Sequence, residues 1–313
     1  MRSILVFLFT IIAVLSSYSQ ELPSDFFDKN GNVAVETKEL NARADTIAVI
    51  KHRRDDIVWS KIVYRIIDLR DMQNRPLYNP VMPNGEYKNL FRIILESMVY
   101  NDLKAYRILK TNNLKTYLPD FSSPVYKNTP EFYNLFKYPS IERGAVIEED
   151  SVILYENNRD SINDEGYRKY APRQYKFLIK EIVFFNKHYS KMYTKVIALA
   201  PLYTFTSLNL KTYHLNKEPL EWAYFVQSIP CWFLYEELRP YLTKYYIKDS
   251  NKTLRMTFDD FFQMKLYSSY ILGDDNTTDK MLLEMFNDPV RIKYEQDRIE
   301  REILNVEQDV WEY

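Results

Sequence analysis

Glycine is scarce in this chain, and its scarcity restricts the folds and sites that the chain can form. Only five glycines occur in 313 residues, and no two of them lie within twenty positions of each other. Nucleotide-binding loops need closely spaced glycines, because the backbone must approach the phosphates without an intervening Cβ. Glycine-rich phosphate loops and dinucleotide fingerprints are therefore excluded.

Residues 1–19 have the layout of a secretory signal peptide. Met1–Ser3 is short and positively charged, Ile4–Leu15 is apolar, and the small residues Ser17 and Ser19 precede Gln20. The alternative interpretation is a membrane anchor, but the apolar run is too short for one. No cysteine follows the run, so the signal is not that of a lipoprotein. We expect cleavage before Gln20 and an exported, unlipidated protein without a transmembrane segment.

The balance of charges and the cysteine count limit the partners and the means of stabilisation. The chain has 42 basic and 43 acidic residues, which does not favour nucleic acid or an anionic membrane as the main partner. Cys231 is the only cysteine, so no internal disulfide can form. Its apolar neighbours predict core packing rather than catalysis. The 27 tyrosines suit protein interfaces as well as cores.

Motifs for catalysis or metal binding are absent from the sequence. The three histidines, His52, His188 and His214, have no close pair spacing, and we expect solvated side chains rather than zinc ligands. Adjacent carboxylates are explained by helix capping and solvation. The oxygen-rich run Asp274–Asp279 lacks the turn glycine and closing glutamate of a calcium loop. We predict no cofactor and no enzymatic activity.

Apolar spacing in the first half predicts two helices and a strand. Trp59 to Ile67 follows one face of a helix, and so does Leu90 to Met98. Leu103–Lys110 resembles a short strand. Prolines predict loops over residues 74–80 and 119–145.

The second half predicts a hairpin followed by two helices. Residues 175–185 and 191–203 are rich in β-branched and aromatic side chains and are joined by a five-residue link, and 221–229 predicts another strand. A helix is expected from Pro230 to Arg239, before Pro240. Thr257–Asp260 is a capping-box variant, and the helix it begins should point Phe258, Phe261, Phe262, Leu266 and Ser269 inward.

These patterns predict an α+β fold, with short antiparallel sheets and packed amphipathic helices, and possibly two related halves. The expected regions are a signal peptide (1–19), an extended N-terminal arm (20–54), a first half (55–156), a second half (157–279) and a charged C-terminal helix (280–313). In the last region Ile299, Ile303, Val306 and Val310 have heptad-like spacing and are candidate partner-binding residues. Packing of this helix on its own domain is the favoured alternative.

Several segments resemble the GldN/PorN family. Residues 58–70 read VWSKIVYRIIDLR, 76–80 read PLYNP, 180–185 read KEIVFF, and 255–262 read RMTFDDFF. The match runs in the same order over about residues 55–275, with Asn79 and Phe184 standing where the family usually has Tyr and Trp. The residues of this structural signature are Trp59, Arg65, Asp68, Pro76, Leu77, Tyr78, Phe258 and Asp259.

The resemblance implies a periplasmic, non-enzymatic subunit of the type IX protein secretion and gliding-motility machinery. Family members lie at the inner face of the outer membrane and assemble into a ring. Their implied partners are an outer-membrane lipoprotein of the GldK/PorK kind and a motor component of the GldM/PorM kind. The alternative is a periplasmic glycan-binding or glycan-processing protein, which abundant tyrosines and dispersed carboxylates would suit.

Overall fold

A six-stranded antiparallel sheet forms the centre of the fold in the computed structural model of this protein. The structure describes residues 50–85, 87–111, 114–127, 129–135, 138–142, 145–150, 162, 164, 167–168, 176–207, 224–248, 256–276, 280–286 and 288–311. The predicted signal peptide and most of the predicted arm lie outside these residues.

The sheet has the strand order β10-β1-β6-β7-β8, with β9 beside β7. Its strands are β1 (Ile57–Asp68), β6 (Lys176–Asn186), β7 (Lys191–Ser207), β8 (Tyr224–Ser228), β9 (Phe233–Leu234) and β10 (Tyr270–Asp274). Two separate antiparallel ribbons pair β2 (Ala105–Thr111) with β3 (Leu114–Val125), and β4 (Tyr138–Glu142) with β5 (Ala145–Asp150).

Helices connect and cover these strands. They are α1 (Arg75–Tyr78), α2 (Leu90–Tyr100), α3 (Pro130–Asn134), α4 (Tyr235–Leu242), α5 (Phe258–Gln263), α6 (Leu282–Met285) and α7 (Pro289–Trp311). Together with the antiparallel sheets they confirm the predicted α+β class.

Alternating side chains of β6 pack on two different layers. Phe177 and Ile179 join one apolar cluster with α2, α4 and α5, and Val183 on the same face joins a second cluster with α7. Leu178 and Ile182 point the other way, into a third cluster with β2 and β3. We refer to these two sides of the sheet as the helical face and the ribbon face.

The helix predicted from Trp59 to Ile67 is wrong, because these residues form β1. This strand lies between β6 and β10 and is covered on both faces, with Val63 and Ile67 on the helical face and Ile66 on the ribbon face. An apolar run buried on both faces does not alternate, so its spacing also fits a helix. Its many β-branched residues favoured the strand.

The proline-based loops were partly wrong. Pro76 stands in the first turn of α1 and Pro130 begins α3, where a missing N–H costs no helical hydrogen bond. Pro119 and Pro124 lie within β3. This strand belongs to a two-stranded ribbon, and a ribbon strand has one edge at which no N–H is needed for pairing.

The helix expected from Pro230 to Arg239 begins later and ends later. Residues 233–234 pair with β7 as β9, so α4 starts at Tyr235, and it continues through Pro240 to Leu242. A proline near the end of an eight-residue helix removes one hydrogen bond. Burial of Leu238 and Leu242 offsets that loss.

Several other predictions are confirmed. Helix α2 buries its predicted residues and ends at Tyr100, β6 and β7 form the predicted hairpin with Asn186 opposite Lys191, and β2 and β8 form near their predicted positions. Thr257 and Asp260 form the capping box of α5. That helix ends at Gln263, so Leu266 and Ser269 lie beyond it.

The sheet joins strands from both predicted halves. β1 belongs to the predicted first half, and it pairs with β6 and β10 of the second. The division into two related halves stays a prediction.

Candidate interaction surfaces

The C-terminal helix α7 packs one side on the sheet. Ile299 is fully buried in a cluster with residues of β1, β6 and β10, and Ile292 and Ile303 pack against the same cluster. Val306 is half-buried, and the side chain of Val310 lies outside the described residues. The heptad-like stripe therefore stabilises the protein's own fold through at least Ile303.

Polar contacts fix α7 across the sheet. Lys61 Nζ of β1 lies 2.7 Å from Glu302 of α7 and 2.9 Å from Asp274 of β10. The Gln296 side-chain amide donates to the Ile271 carbonyl of β10 at 2.6 Å. Helix α7 thereby covers the β10 edge of the sheet.

The opposite side of α7 carries a second line of side chains, which we name the outer stripe: Val290, Tyr294, Arg301 and Leu304. The exposed fractions of Val290, Tyr294 and Leu304 are 76%, 60% and 49%. The Arg301 guanidinium lies 5.9 Å from the Tyr294 ring centre. The sequence analysis missed this stripe because its apolar residues are widely spaced. The helical spacing of positions 290, 294, 301 and 304 is nevertheless visible in the sequence.

A buried carboxylate organises the centre of the helical face. Glu181 is fully buried, its Oε2 lies 3.2 Å from Arg65 Nε and 3.6 Å from Lys265 Nζ, and it accepts a hydrogen bond from the Tyr267 hydroxyl. Burial lowers the pKa of Lys265, although Glu181 opposes this, and burial and Glu181 raise the pKa of Tyr267 well above its usual value. The predicted signature residue Arg65 therefore compensates a buried charge.

The turn after β1 is tied to the loop before β10. Asp68 accepts from Arg70 at 3.0 and 2.6 Å; burial opposes ionisation, but these hydrogen bonds lower the pKa of Asp68 overall. Fully buried Asn74 donates to the carbonyls of Asp68 and Ser268 at 2.7 and 2.8 Å, and accepts from the Ser268 N–H at 2.8 Å. The signature residue Asp68 thus holds a turn.

The signature residue Asp259 forms a buried ion pair. Arg239 Nε lies 3.0 Å from both carboxylate oxygens of Asp259, and the Tyr235 hydroxyl donates to it at 2.9 Å. Burial raises the pKa of Asp259 despite Arg239. Phe258 is fully buried beside it. This group links α4 to α5.

The remaining signature residues also pack. Leu77 is buried in the large cluster on the helical face, and Tyr78 packs against that cluster. Trp59, expected in the core, is half-buried against the α7 cluster. All the signature residues are engaged in folding.

No catalytic or metal-binding group emerges among the described residues. Cys231 is fully buried, and burial raises the pKa of its thiol well above the usual value, so core packing is confirmed. Within the described ranges no three histidine, cysteine or acidic side chains are placed to hold a metal ion. Part of Asp274–Asp279 and all of His214 lie outside those ranges.

His52 differs from the solvated histidine that the sequence predicted. It is almost fully buried, with Nδ1 2.9 Å from the Asn186 amide nitrogen and its ring 4.9 Å from Phe184 and 4.4 Å from Tyr193. Burial, and then Lys195, lower the pKa of His52 to about 4. His188, at the tip of the β6–β7 hairpin, is exposed as predicted.

A family comparison matches almost all of this architecture. The model of the family described as "Gliding motility associated protein GldN" matches residues 52–312, from buried His52 through α7. The chain belongs to the GldN family. No curated protein matches it.

Membership of the GldN family associates the protein with gliding motility and type IX secretion. GldN is a family of structural gliding-motility components and not a known enzyme family. None of the helices in the described ranges combines the length and apolar character needed to cross a bilayer.

Proposed function

We propose that this GldN-family protein is a non-enzymatic scaffold subunit that works in the periplasm at the inner face of the outer membrane. It assembles into a ring, binds an outer-membrane lipoprotein of the GldK/PorK kind, and meets a motor component of the GldM/PorM kind. The observation that carries the proposal is the family match over residues 52–312. The signal-peptide layout of residues 1–19 supports the location.

The use of the buried polar groups supports a scaffold rather than an enzyme. Catalytic groups need a reacting atom within reach, and their pKa values are usually shifted toward the working pH. Here Glu181, Asp259 and Asp68 are each paired with arginine side chains of the same chain. Their charges stabilise loops and helices, so they are occupied by folding.

Ring closure needs two different contact surfaces, because head-to-tail contacts form a ring only when each face binds the other. We assign one to the N-terminal segment 20–49 and one to the outer stripe of α7. The outer stripe replaces Ile299 and Ile303 in this role, because those two side chains pack on the protein's own sheet. Val306 and Val310, which continue the Ile299 stripe on the other side of the helix, remain candidates.

The central experiment is gentle solubilisation of outer membranes followed by gradient sedimentation. The proposal expects the protein in a large particle together with a lipoprotein. Recovery as a free periplasmic monomer would contradict it, and retention on purified peptidoglycan instead would favour the glycan-binding alternative.

The two surfaces can be tested separately. A variant lacking residues 20–49 keeps His52 and should fold, as should V290D/Y294D, since both side chains are exposed. Each should lose at least about tenfold of the ring fraction, whereas exposed Asn305→Asp on the same helix should not. Full rings from both variants would contradict the assigned surfaces.

A further inference from the structure

The outer edge of β7 next to the β6–β7 hairpin has no paired strand in the described part of the chain. The inner edge of β7 pairs with β6 from Lys191 onward, while β9 pairs only with Ala198 and Leu199 and β8 only with Tyr203–Ser207. Among the described residues no strand pairs with the outer edge over 191–197. Over residues 191–196 every second residue directs its N–H and C=O away from β6, and the register with β6 shifts at Ile197. Such an edge is a template for an added strand.

A cationic corner adjoins this edge. Five basic side chains are exposed there: Lys51, Arg53, Arg54, Lys187 and Lys191. The same segments carry only two carboxylates, those of Asp55 and Asp56. The two segments are in contact, because the Lys187 N–H donates to the Asp56 carbonyl at 2.8 Å and the His52 and Tyr189 rings are 5.9 Å apart. A partner at this corner meets a net positive charge.

Lys195 places a further positive charge on the edge strand itself. Its Nζ is shielded from solvent and has no hydrogen-bond partner among the described residues. Burial lowers the pKa of Lys195 to about 8, with Glu236 opposing this and Arg239 adding to it. A shielded ammonium without a bonded acceptor is costly unless a negative group pairs with it.

We propose that the edge over residues 191–197 binds an extended, acidic peptide segment of a partner protein as an additional β-strand, with a partner carboxylate on Lys195. The backbone row of β7 supplies main-chain hydrogen bonds, and the cationic corner selects the acidic partner. This goes beyond the scaffold role, because it assigns a ligand chemistry to one surface and does not require a ring.

The observations favour a peptide over an anionic lipid. A lipid headgroup would use the cationic corner but not the row of backbone donors and acceptors on β7. A peptide strand uses both, because main-chain pairing gives affinity while alternate side chains give specificity. Lys195 has an opposite interpretation, in which an inward lysine blocks strand addition at an edge. The two interpretations predict opposite effects of removing it.

The test is anisotropy titration of the whole mature protein with a labelled ten-residue peptide of alternating valine and glutamate. We expect saturable binding that weakens with salt. A lysine-for-glutamate peptide should not bind. A peptide with proline for each valine keeps the charge but loses those N–H donors, and should bind at least about tenfold more weakly.

Lys195→Thr keeps a good strand former and should weaken the acidic peptide about tenfold, while exposed Lys248→Thr serves as the matched control. The proposal is overturned if the proline peptide or anionic phosphatidylglycerol vesicles compete equally well. It is also overturned if the Lys195→Thr variant self-associates, which is the result expected if Lys195 blocks strand addition. The same holds if the acidic peptide binds only after residues 20–49 have been deleted. Ring sedimentation of Lys195→Thr should stay normal, so failure here is distinct from failure of the scaffold proposal.

Discussion

The two long edges of the central sheet are treated differently. At the β10 edge the chain folds back on itself. Met281 joins the apolar cluster of the ribbon face, and Leu282 joins the cluster beneath α7 on the helical face. The Gln296 side chain donates to the Ile271 carbonyl. At the β7 edge, over residues 191–197, no described strand follows. One edge is closed by the protein's own C-terminal region, and the other is the edge at which we propose that a partner strand binds.

The closed edge depends on a close approach at Gly273. A Cβ added there would lie 3.1 Å from the Met281 sulfur, so glycine lets the segment before α6 wrap tightly around β10. On the β7 edge strand, Lys195 carries a charge that does not suit apolar packing. Covering β10 is therefore part of folding, whereas our proposal makes covering β7 a part of assembly.

The largest expected effect is at the closed edge. Ile299→Asp places an unpaired charge in the cluster beneath α7 and should lower the free energy of unfolding by about 4 kcal/mol or more. Leu304→Asp, on the exposed side of the same helix, should change it by less than about 0.5 kcal/mol. Urea denaturation measures both. Equal effects would mean that α7 does not close the edge through Ile299.

The next effect is beside the open edge. His52→Ala removes the bond to Asn186 and the contacts with Phe184 and Tyr193, and should cost about 2 kcal/mol. Exposed His188→Ala in the same hairpin is the control and should be near neutral. If both are neutral, the segment before β1 is not anchored there.

His52 also makes stability depend on pH. Its pKa is about 4 in the folded protein against 6.5 unfolded, so the unfolded chain binds more protons between these values. Stability should therefore fall as pH falls from 6.5 toward 4, by at most about 1.4 kcal/mol per unit. The charged and titratable groups around it are Lys195, Asp56, Tyr189 and Tyr193. The difference in slope between the native protein and His52→Asn isolates the histidine, and identical slopes would exclude it.

The sequence predicted what local chemistry determines. The capping box at Thr257, the hairpin between β6 and β7, and the amphipathic α2 all follow from residues near one another in the chain. β1 was missed because its burial on both faces is a tertiary property, created by β6 and β10 far along the chain. Prolines were wrongly taken to predict loops where they lie in the first turn of a helix or in a strand of a two-stranded ribbon, because both positions tolerate a missing N–H.

The polar groups were harder to predict than the fold. The sequence around Glu181 does not show which groups neutralise its charge, because its partners Arg65, Lys265 and Tyr267 come from distant segments. His52 was placed in the arm for the same reason. The stripe on α7 was found, but its period alone could not distinguish a partner from the protein's own sheet.

The smallest effect concerns the single hydrogen bond that covers β10. Gln296→Ala removes the donor to the Ile271 carbonyl and should cost about 1 kcal/mol, because that carbonyl is then left to water or unpaired. Exposed Gln308→Ala on the same helix is the control and should be near neutral. Hydrogen exchange adds a local readout, since amides of β10 should exchange faster in Gln296→Ala, while those of β6 should not. If stability and exchange are unchanged, the apolar packing of Met281, Leu282 and Ile299 is sufficient to close this edge. The contrast with β7 would then rest on side-chain burial alone and not on backbone hydrogen bonding.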